Sequence, residues 1–239
     1  MQVTTSNFAM PSLTKCVVNI KSGTMKKIMF NDQWGLTQAV LDGRKTMTRR
    51  LIPQSVLESV DQFCVDYYNN TFDALTFKDG IEHMLYVERI LKIPFHIQDE
   101  VAIAQSYNTV IQETFDKGGE FKGSCSIFKS KGLDNKMFVR AELMPHRIKI
   151  TGIRVEQLQD ITDEDCLKEG IYVDDNVPEG VPRYKYIAYS YDADPSHQKK
   201  KWWFTTPREA FAALIDKVSG KGTWDSNPWV LCYEFELIK

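Results

Sequence analysis

The chain has 239 residues, of which 43% are hydrophobic and 26% charged, a composition typical of a soluble globular protein with room for one sizeable domain or two small ones. Its formal net charge is -2, which excludes binding to nucleic acid through overall charge and leaves that role to a local basic patch. No apolar run is long enough to span a bilayer.

Cysteine and histidine residues are scattered along the chain. The five cysteines are far apart, odd in number and without CxxC spacing, and the four histidines include no HExxH pair. The sequence therefore predicts neither a disulfide framework nor a zinc site. We expect a cytoplasmic protein with reduced thiols, no metal, no cofactor and no membrane attachment.

The first 24 residues lack the basic start and the continuous apolar core of a signal peptide. We expect residues 1–24 to be a disordered tail or the product of an upstream start codon, and the alternative is an edge strand at Cys16–Ile20. A single domain is predicted to cover 25–239.

The first predicted elements are a strand at Lys26–Phe30 and a helix over 33–42. Asn31 or Asp32 is expected to cap this helix, because either side chain can accept a hydrogen bond from a free amide at a helix start. Gly43 stands where a left-handed residue ends a helix. The basic segment that follows is predicted to be a strand, with Thr48 and Arg50 on one face.

The middle of the chain has weaker patterns. We interpret 54–92 as an insertion and predict a strand within 99–107, followed by a second insertion at about 108–135 that is rich in glycine. In 146–158 the apolar alternation changes phase at Gly152, which indicates either two strands or one strand with a β-bulge.

A short acidic helix is predicted at Asp163–Glu169, with Thr162 as its N-cap and Gly170 as its end. A third insertion, about 172–204, is rich in tyrosine and reads as a long loop or a small hairpin. Two sets of aromatic residues lie within it. They are the segment 199–204 (KKKWWF) and Tyr184, Tyr186, Tyr189 and Tyr191. The first fits base stacking or, as the favoured interpretation, anchoring of the following helix, and the second fits either the lining of a cleft or the packing of a hairpin.

The clearest helix follows Thr206, which caps it, with Pro207 at its first position and Glu209 completing a capping box. An alternating strand at 228–238 ends the chain. In total about six strands and three helices are dispersed along the sequence, which favours an α+β domain built around a small barrel of mixed strand directions.

Four segments together resemble the ASCH domain family of the PUA-like superfamily, and specifically its larger members encoded by phages and prophages. The segments are VLDGRKTMTRRLI, MPHRIKIT, LQDITDEDCLKEGI and WDSNPWVLCYEFE. The resemblance covers roughly 25–53, 94–107 and 136–239. It implies a PUA-like mixed β-barrel with short peripheral helices and insertions, with RNA, a nucleoside or a nucleotide as its ligand.

One branch of that family consists of amidohydrolases that remove an acyl group from N4 of cytidine without a metal. By resemblance, Lys45 and Thr48 of the GRKTxT segment and Glu169 of the acidic helix match their catalytic residues. Thr48 would be the nucleophile and Lys45 its base, provided that burial or neighbouring cations lower the lysine pKa. Glu169 would pass a proton to the leaving amine.

A second hypothesis is a binding module without catalysis. In it the basic segment grips the ligand, and the expected contacts are Gly43, Arg44, Arg49 and Arg50 in addition to Lys45 and Thr48. A third hypothesis is a structural or regulatory phage accessory protein whose cleft is vestigial. The alternative to any functional site is that Lys45 and the arginines form a solvated turn, with Glu169 on an ordinary helix surface. Protein partners are not predicted. The sequence leaves the choice between catalysis and binding open.

Overall fold

In this computed structural model the described residues are 25–59, 93–106, 109–110, 113, 136–137, 139–186 and 203–238. The predicted N-terminal tail, most of the first two predicted insertions, and 187–202 of the third lie outside them. The predicted single-domain boundary at 25–239 therefore stays a prediction.

The molecule is built on a mixed five-stranded sheet with few helices, which confirms the α+β class. Its strands are β1 (Lys26–Ile28), β2 (Met47–Leu51), β3 (Glu100–Ile103), β4 (Arg147–Gln157) and β7 (Trp229–Ile238), in the spatial order β1-β3-β4-β7-β2. β1 runs parallel to β3, and the other neighbouring pairs are antiparallel. Among the described residues the sheet does not close into a barrel through backbone pairing.

The two longest strands, β4 and β7, pair along almost their whole length. Their register shifts between Ile150 and Gly152, which confirms the bulge predicted at the phase change and decides for one strand over two. The strand predicted at 228–238 is also confirmed. β7 lies between β4 and β2 and so fixes the position of β2.

The two edges of the sheet approach each other on one side of the molecule. The guanidinium of Arg50 on β2 donates a hydrogen bond to the carbonyl of Met29, just after β1. The ring of Phe30 packs against Phe235 of β7, with 5.7 Å between centroids. The segment after β1 is thereby held against β2, the strand predicted to carry the site.

The first helix, α1, covers Leu36–Leu41 and is shorter than predicted. Neither Asn31 nor Asp32 caps it, so that prediction was wrong. The carbonyls of these two residues instead accept hydrogen bonds from Leu36 and Gly35 in preceding turns, and the N-cap is Gly35 in a left-handed conformation. Gly43 does have the predicted positive φ, +74°.

The other helices agree more closely with the sequence. α2 covers Asp163–Lys168, and its Thr162 hydroxyl accepts a hydrogen bond from the amide of Asp165. α3 covers Pro207–Ser219 and begins with the predicted capping box. A short helix, α4 (Thr223–Ser226), was not predicted. The described part of the first insertion, 54–59, is helical.

The third predicted insertion contains a small hairpin, since β5 (Tyr172–Val173) pairs antiparallel with β6 (Tyr184–Lys185). The main core runs continuously from Ile28 of β1 through Ile150 of β4 to Phe235 of β7. It continues into α3, which packs on α2 and α4. None of the helices in the described part of the chain has the length and apolar character needed to cross a membrane.

Candidate functional site

The basic segment after α1 is anchored at both ends by backbone hydrogen bonds. The amides of Arg44 and Lys45 donate to the carbonyl of Ala39 at 2.9 and 2.8 Å, and the amide of Thr46 donates to the carbonyl of Lys168 at 2.9 Å. The left-handed Gly43 makes this reversal after the helix accessible without steric cost. The segment therefore leaves α1, contacts the end of α2, and enters β2.

A cavity of about 370 Å³ lies beside β2, within the size range of small-molecule sites. It is formed by the segment after β1, α1, the basic segment with β2, the end of α2, and α3. Its polar lining is Asn31, Asp32, Lys45, Thr48, Arg49, Arg50, Lys136 and Glu169. Its apolar lining is Met29, Phe30, Leu36, Phe211, Leu214, Ile215 and Val218.

Lys45 and Glu169 form a buried ion pair on the polar side of this cavity. Lys45 Nζ lies 2.6 Å from Glu169 Oε2 and donates a second hydrogen bond, at 2.8 Å, to the Glu169 carbonyl. The two residues are 2% and 4% exposed. Burial lowers the pKa of Lys45, with the nearby arginines acting in the same direction and Glu169 opposing them. A lowered pKa makes the neutral, proton-accepting form of this lysine more accessible.

Gly170 allows the close approach of the two elements that carry this pair. It has a φ of +99°, and a Cβ there would lie 3.4 Å from the Cβ atoms of Ala39 and Lys45. A side chain at this position would be strained by the positive φ, and its Cβ would already be in van der Waals contact with both neighbours. The glycine predicted as a helix end thus also positions Glu169 against Lys45.

Arg49 joins the ion pair to a larger buried network. Its guanidinium lies 3.1 Å from Glu169 Oε1, 3.0 Å from Asp165 Oδ2 and 2.6 Å from Glu156 Oε1. Arg154 contacts Asp165 and Glu156 as well. Although burial disfavours its charge, these carboxylates raise the pKa of Arg49 overall. Arg49 is therefore held in place by protein anions and orients Glu169.

Thr48 and Arg50 face the cavity from the same side of β2, as the predicted strand alternation requires. Thr48 is 5% exposed. Within the described residues its hydroxyl has no hydrogen-bond partner. A cavity-lining hydroxyl without a partner is available to a ligand.

Of the seven residues that the sequence predicted for the site, the structure brings five to the cavity. They are Lys45, Thr48, Arg49, Arg50 and Glu169. Gly43 and Arg44 are not among the lining residues, and the Arg44 guanidinium instead lies 3.1 Å from Asp42 Oδ2. Gly43 contributes to the site indirectly, because its left-handed conformation lets the chain reverse direction after α1.

Sequence reasoning missed most of the apolar wall and the anions behind Arg49. On α3 the apolar residues Phe211, Leu214, Ile215 and Val218 recur with helical periodicity, but periodicity does not separate side chains that line a cavity from those that fill a core. The alternation of Arg154 and Glu156 on one strand face was the available signal for the network.

The other predicted aromatic sites fit packing. Tyr186 is buried, and its ring lies 5.7 Å from that of Trp34 and 6.2 Å from that of Phe204. Lys185 lies over the rings of Tyr172 and Trp203. Tyr189, Tyr191 and 199–202 fall outside the described residues. Across the residues that are described, no cluster of three or more His, Cys, Asp or Glu side chains could hold a metal ion.

Comparisons of the chain with protein-family models, with curated proteins and with solved structures found no match.

Proposed function

We propose that the cavity beside β2 binds a nucleoside or nucleotide. The observation that carries the proposal is that one partly open cavity of about 370 Å³ combines four cationic side chains with the aromatic rings of Phe30 and Phe211. Nucleobases are recognised by aromatic and cationic planes together with a few polar groups. Lys45 and Arg50 each lie within 6 Å of the Phe30 ring centre, at 5.9 and 5.8 Å.

A small ligand fits this site better than a long nucleic acid. Arg49 is neutralised by three carboxylates, and Lys136 lies 3.0 Å from Asp32 Oδ2, so that few cations remain for a run of phosphates. The net charge of -2 points the same way.

The proposal includes membership of the ASCH domain family, with a PUA-like barrel. Its support is the curled sheet, whose edges meet through Arg50 and Met29, and the position of the GRKT segment beside a cleft at that junction. These features agree with what the resemblance implies, and the phage or prophage origin and the cytoplasmic location belong to the same proposal.

Calorimetric titration with the four common ribonucleosides tests the binding function. We expect wild-type protein to bind at least one of them, and Leu214→Trp to weaken that binding more than tenfold because the indole would occupy the cavity. Lys217→Trp adds the same ring to the exposed side of α3 and is the matched control. If both variants bind the ribonucleoside equally well, the ligand does not occupy this cavity.

A second candidate function, hydrolysis of N4-acylated cytidine, is favoured by the convergence of Lys45, Thr48 and Glu169. In this reaction neutral Lys45 takes the hydroxyl proton of Thr48, whose oxygen attacks the acyl carbonyl. The carbon–nitrogen bond then breaks, and the N4 amine leaves with a proton relayed through Glu169. Water finally cleaves the threonine ester and releases the carboxylic acid.

Incubation with N4-acetylcytidine, followed by chromatography of the released cytidine, tests this reaction. We expect release by wild type and by Thr46→Ala, whose side chain does not line the cavity, and loss of release in Thr48→Ala. If wild-type protein binds cytidine but releases none from N4-acetylcytidine, the site binds its ligand without hydrolysing it.

A further inference from the structure

Among the described residues that line the cavity, one cation has no ion pair with a protein anion. Lys45 pairs with Glu169, Lys136 pairs with Asp32, and Arg49 is bound by three carboxylates. The guanidinium of Arg50 forms no ion pair with any residue in the described part of the chain. Arg50 is therefore the surplus positive charge of the site.

Arg50 is also poorly supplied with hydrogen-bond acceptors. A guanidinium carries five N–H groups in a planar fork. Within the described residues Arg50 donates to one acceptor, the carbonyl of Met29, and its carbon lies 5.8 Å from the Phe30 ring centre. Most of its donors are thus left for water or a ligand.

Partial burial makes this arrangement costly without a ligand. Arg50 is neither fully buried nor exposed, and its loss of hydration lowers its pKa despite the distant charge of Glu169. Glu169 is already shared by Lys45 and Arg49. A planar, partly dehydrated guanidinium of this kind is well suited to bidentate binding of a phosphate.

We propose that the ligand of this cavity carries a phosphate group, which is held by Arg50. The inference rests on the proposed binding of a nucleoside or nucleotide and narrows it to the phosphorylated class. The phosphate belongs either to a free nucleotide or to the end of a short RNA strand, and both sources present the same oxygens to the guanidinium.

The test compares cytidine, cytidine 5′-monophosphate and the cytidine trinucleotide by calorimetric titration of the full chain. We expect wild type to bind the monophosphate at least about tenfold more tightly than cytidine, because charge-assisted bidentate contacts contribute at about that level. The ratio of the two dissociation constants should fall below about threefold in Arg50→Gln and remain intermediate in Arg50→Lys. It should also fall with rising salt concentration.

Arg147→Gln, on the exposed part of β4, is the matched control and should keep the wild-type ratio. Because cytidine binding is the internal reference, a ratio can be read for any variant that still binds cytidine. Tighter binding of the trinucleotide, lost in Arg50→Gln, would assign the phosphate to RNA, and preference for the monophosphate would assign it to a free nucleotide.

Equal binding of cytidine and its monophosphate by wild type would overturn the phosphate inference and leave the nucleoside site standing. A preference for the monophosphate that is unchanged in Arg50→Gln would also overturn it. Binding of adenosine and cytidine monophosphates alike, with no binding of either nucleoside, would support the phosphate contact and contradict nucleoside recognition. Absence of binding by all of these ligands and by the remaining common ribonucleosides and their monophosphates would overturn both proposals.

Discussion

Lys45 and Glu169 differ in their number of ion-pair partners, and this difference determines how much the loss of each residue destabilises the fold. Glu169 is contacted by both Lys45 and Arg49, whereas the only carboxylate paired with Lys45 among the described residues is that of Glu169. Loss of the carboxylate therefore leaves a buried lysine without its counter-charge, while loss of the lysine leaves Glu169 with Arg49. Breaking a buried pair costs more than its presence contributes, because the remaining charge has lost its hydration.

We expect Glu169→Gln to lower the free energy of unfolding by about 3–5 kcal/mol. Lys45→Met should lower the free energy of unfolding by clearly less, because Glu169 keeps Arg49 as its counter-charge and no buried charge is left unpaired. Urea denaturation monitored by tryptophan fluorescence measures both. Glu164→Gln, on the exposed side of α2, serves as the control and should change stability little. Equal losses for Glu169→Gln and Lys45→Met would contradict this description of the pair.

The buried thiols of Cys166 and Cys232 make the free energy of unfolding depend on pH. Burial raises the pKa of each thiol from 9.0 to about 12. Between these values the unfolded chain loses the protons that the folded chain retains, so the unfolded state binds fewer protons and stability falls as the pH rises. The contribution is fully present below pH 9.

We therefore expect the free energy of unfolding to decrease from about pH 9 upward, by up to about 1.4 kcal/mol per pH unit for each thiol. The slope should be smaller in Cys166→Ala and in Cys232→Ala, measured by urea denaturation with a reductant present. Because the other ionisable groups are common to all three proteins, the difference in slope isolates the thiol. An unchanged slope would show that the thiol ionises equally in both states.

At the scale of the element, α3 is the helix that local sequence specifies most completely. The Thr206 hydroxyl accepts a hydrogen bond from the Glu209 amide at 3.1 Å, and the Glu209 carboxylate accepts one from the Thr206 amide at 3.4 Å. Pro207 supplies the fixed φ that the first turn requires. This end of α3 matters for the site, because the helix contributes Phe211, Leu214, Ile215 and Val218 to the cavity.

We expect Thr206→Ala to lower the free energy of unfolding by about 1 kcal/mol, since one amide in the first turn loses its acceptor. Thr205→Ala is the neighbouring control, and it should have little effect because its exposed side chain does not cap the helix. Thermal or urea unfolding of the two variants gives the comparison. A similar loss of stability in both variants would show that the effect arises from the loop before the helix and not from the capping hydrogen bond.

At the scale of the whole molecule, one core cluster connects four strands of the five-stranded sheet, β1, β3, β4 and β7, to α3, and Ile52 joins it directly after β2. Phe235 of β7 belongs to this cluster, and its ring packs against that of Phe30, which follows the edge strand β1. Since β2 is an edge strand that pairs only with β7 within this sheet, the cavity cannot lose its β2 wall without disturbing β7. Site and core are therefore expected to unfold together.

We expect far-ultraviolet circular dichroism and tryptophan fluorescence to report a single coincident unfolding transition. Phe235→Ala should shift both midpoints equally, with a loss of about 3–5 kcal/mol. Met137→Ala, at a side chain that is 55% exposed, is the surface control. Two separated transitions would show that the cavity belongs to a unit that unfolds independently of the sheet.

The sequence by itself determined the features that depend on neighbours along the chain. Short-range sterics and hydrogen bonding produce the capping box of Thr206, the bulge at Gly152, the left-handed conformation of Gly43 and the shared strand face of Thr48 and Arg50. The start of α1 was mispredicted because the backbone carbonyls of Asn31 and Asp32 accept hydrogen bonds in the preceding turns.

The ion-pair partner of each basic residue depends on tertiary packing. Strand alternation separates Arg50 from Arg49, but nothing local shows which of Arg44, Lys45, Arg49 and Arg50 is neutralised by a carboxylate. The packing of α2 against β2 brings Glu169 and Asp165 to Arg49, while Arg44 contacts Asp42. Arg50 faces the cavity without an ion-pair partner in the part of the chain that the structure describes. Such pairing depends on residues more than 100 positions apart, and its energy depends on burial, which exists only once the chain has folded.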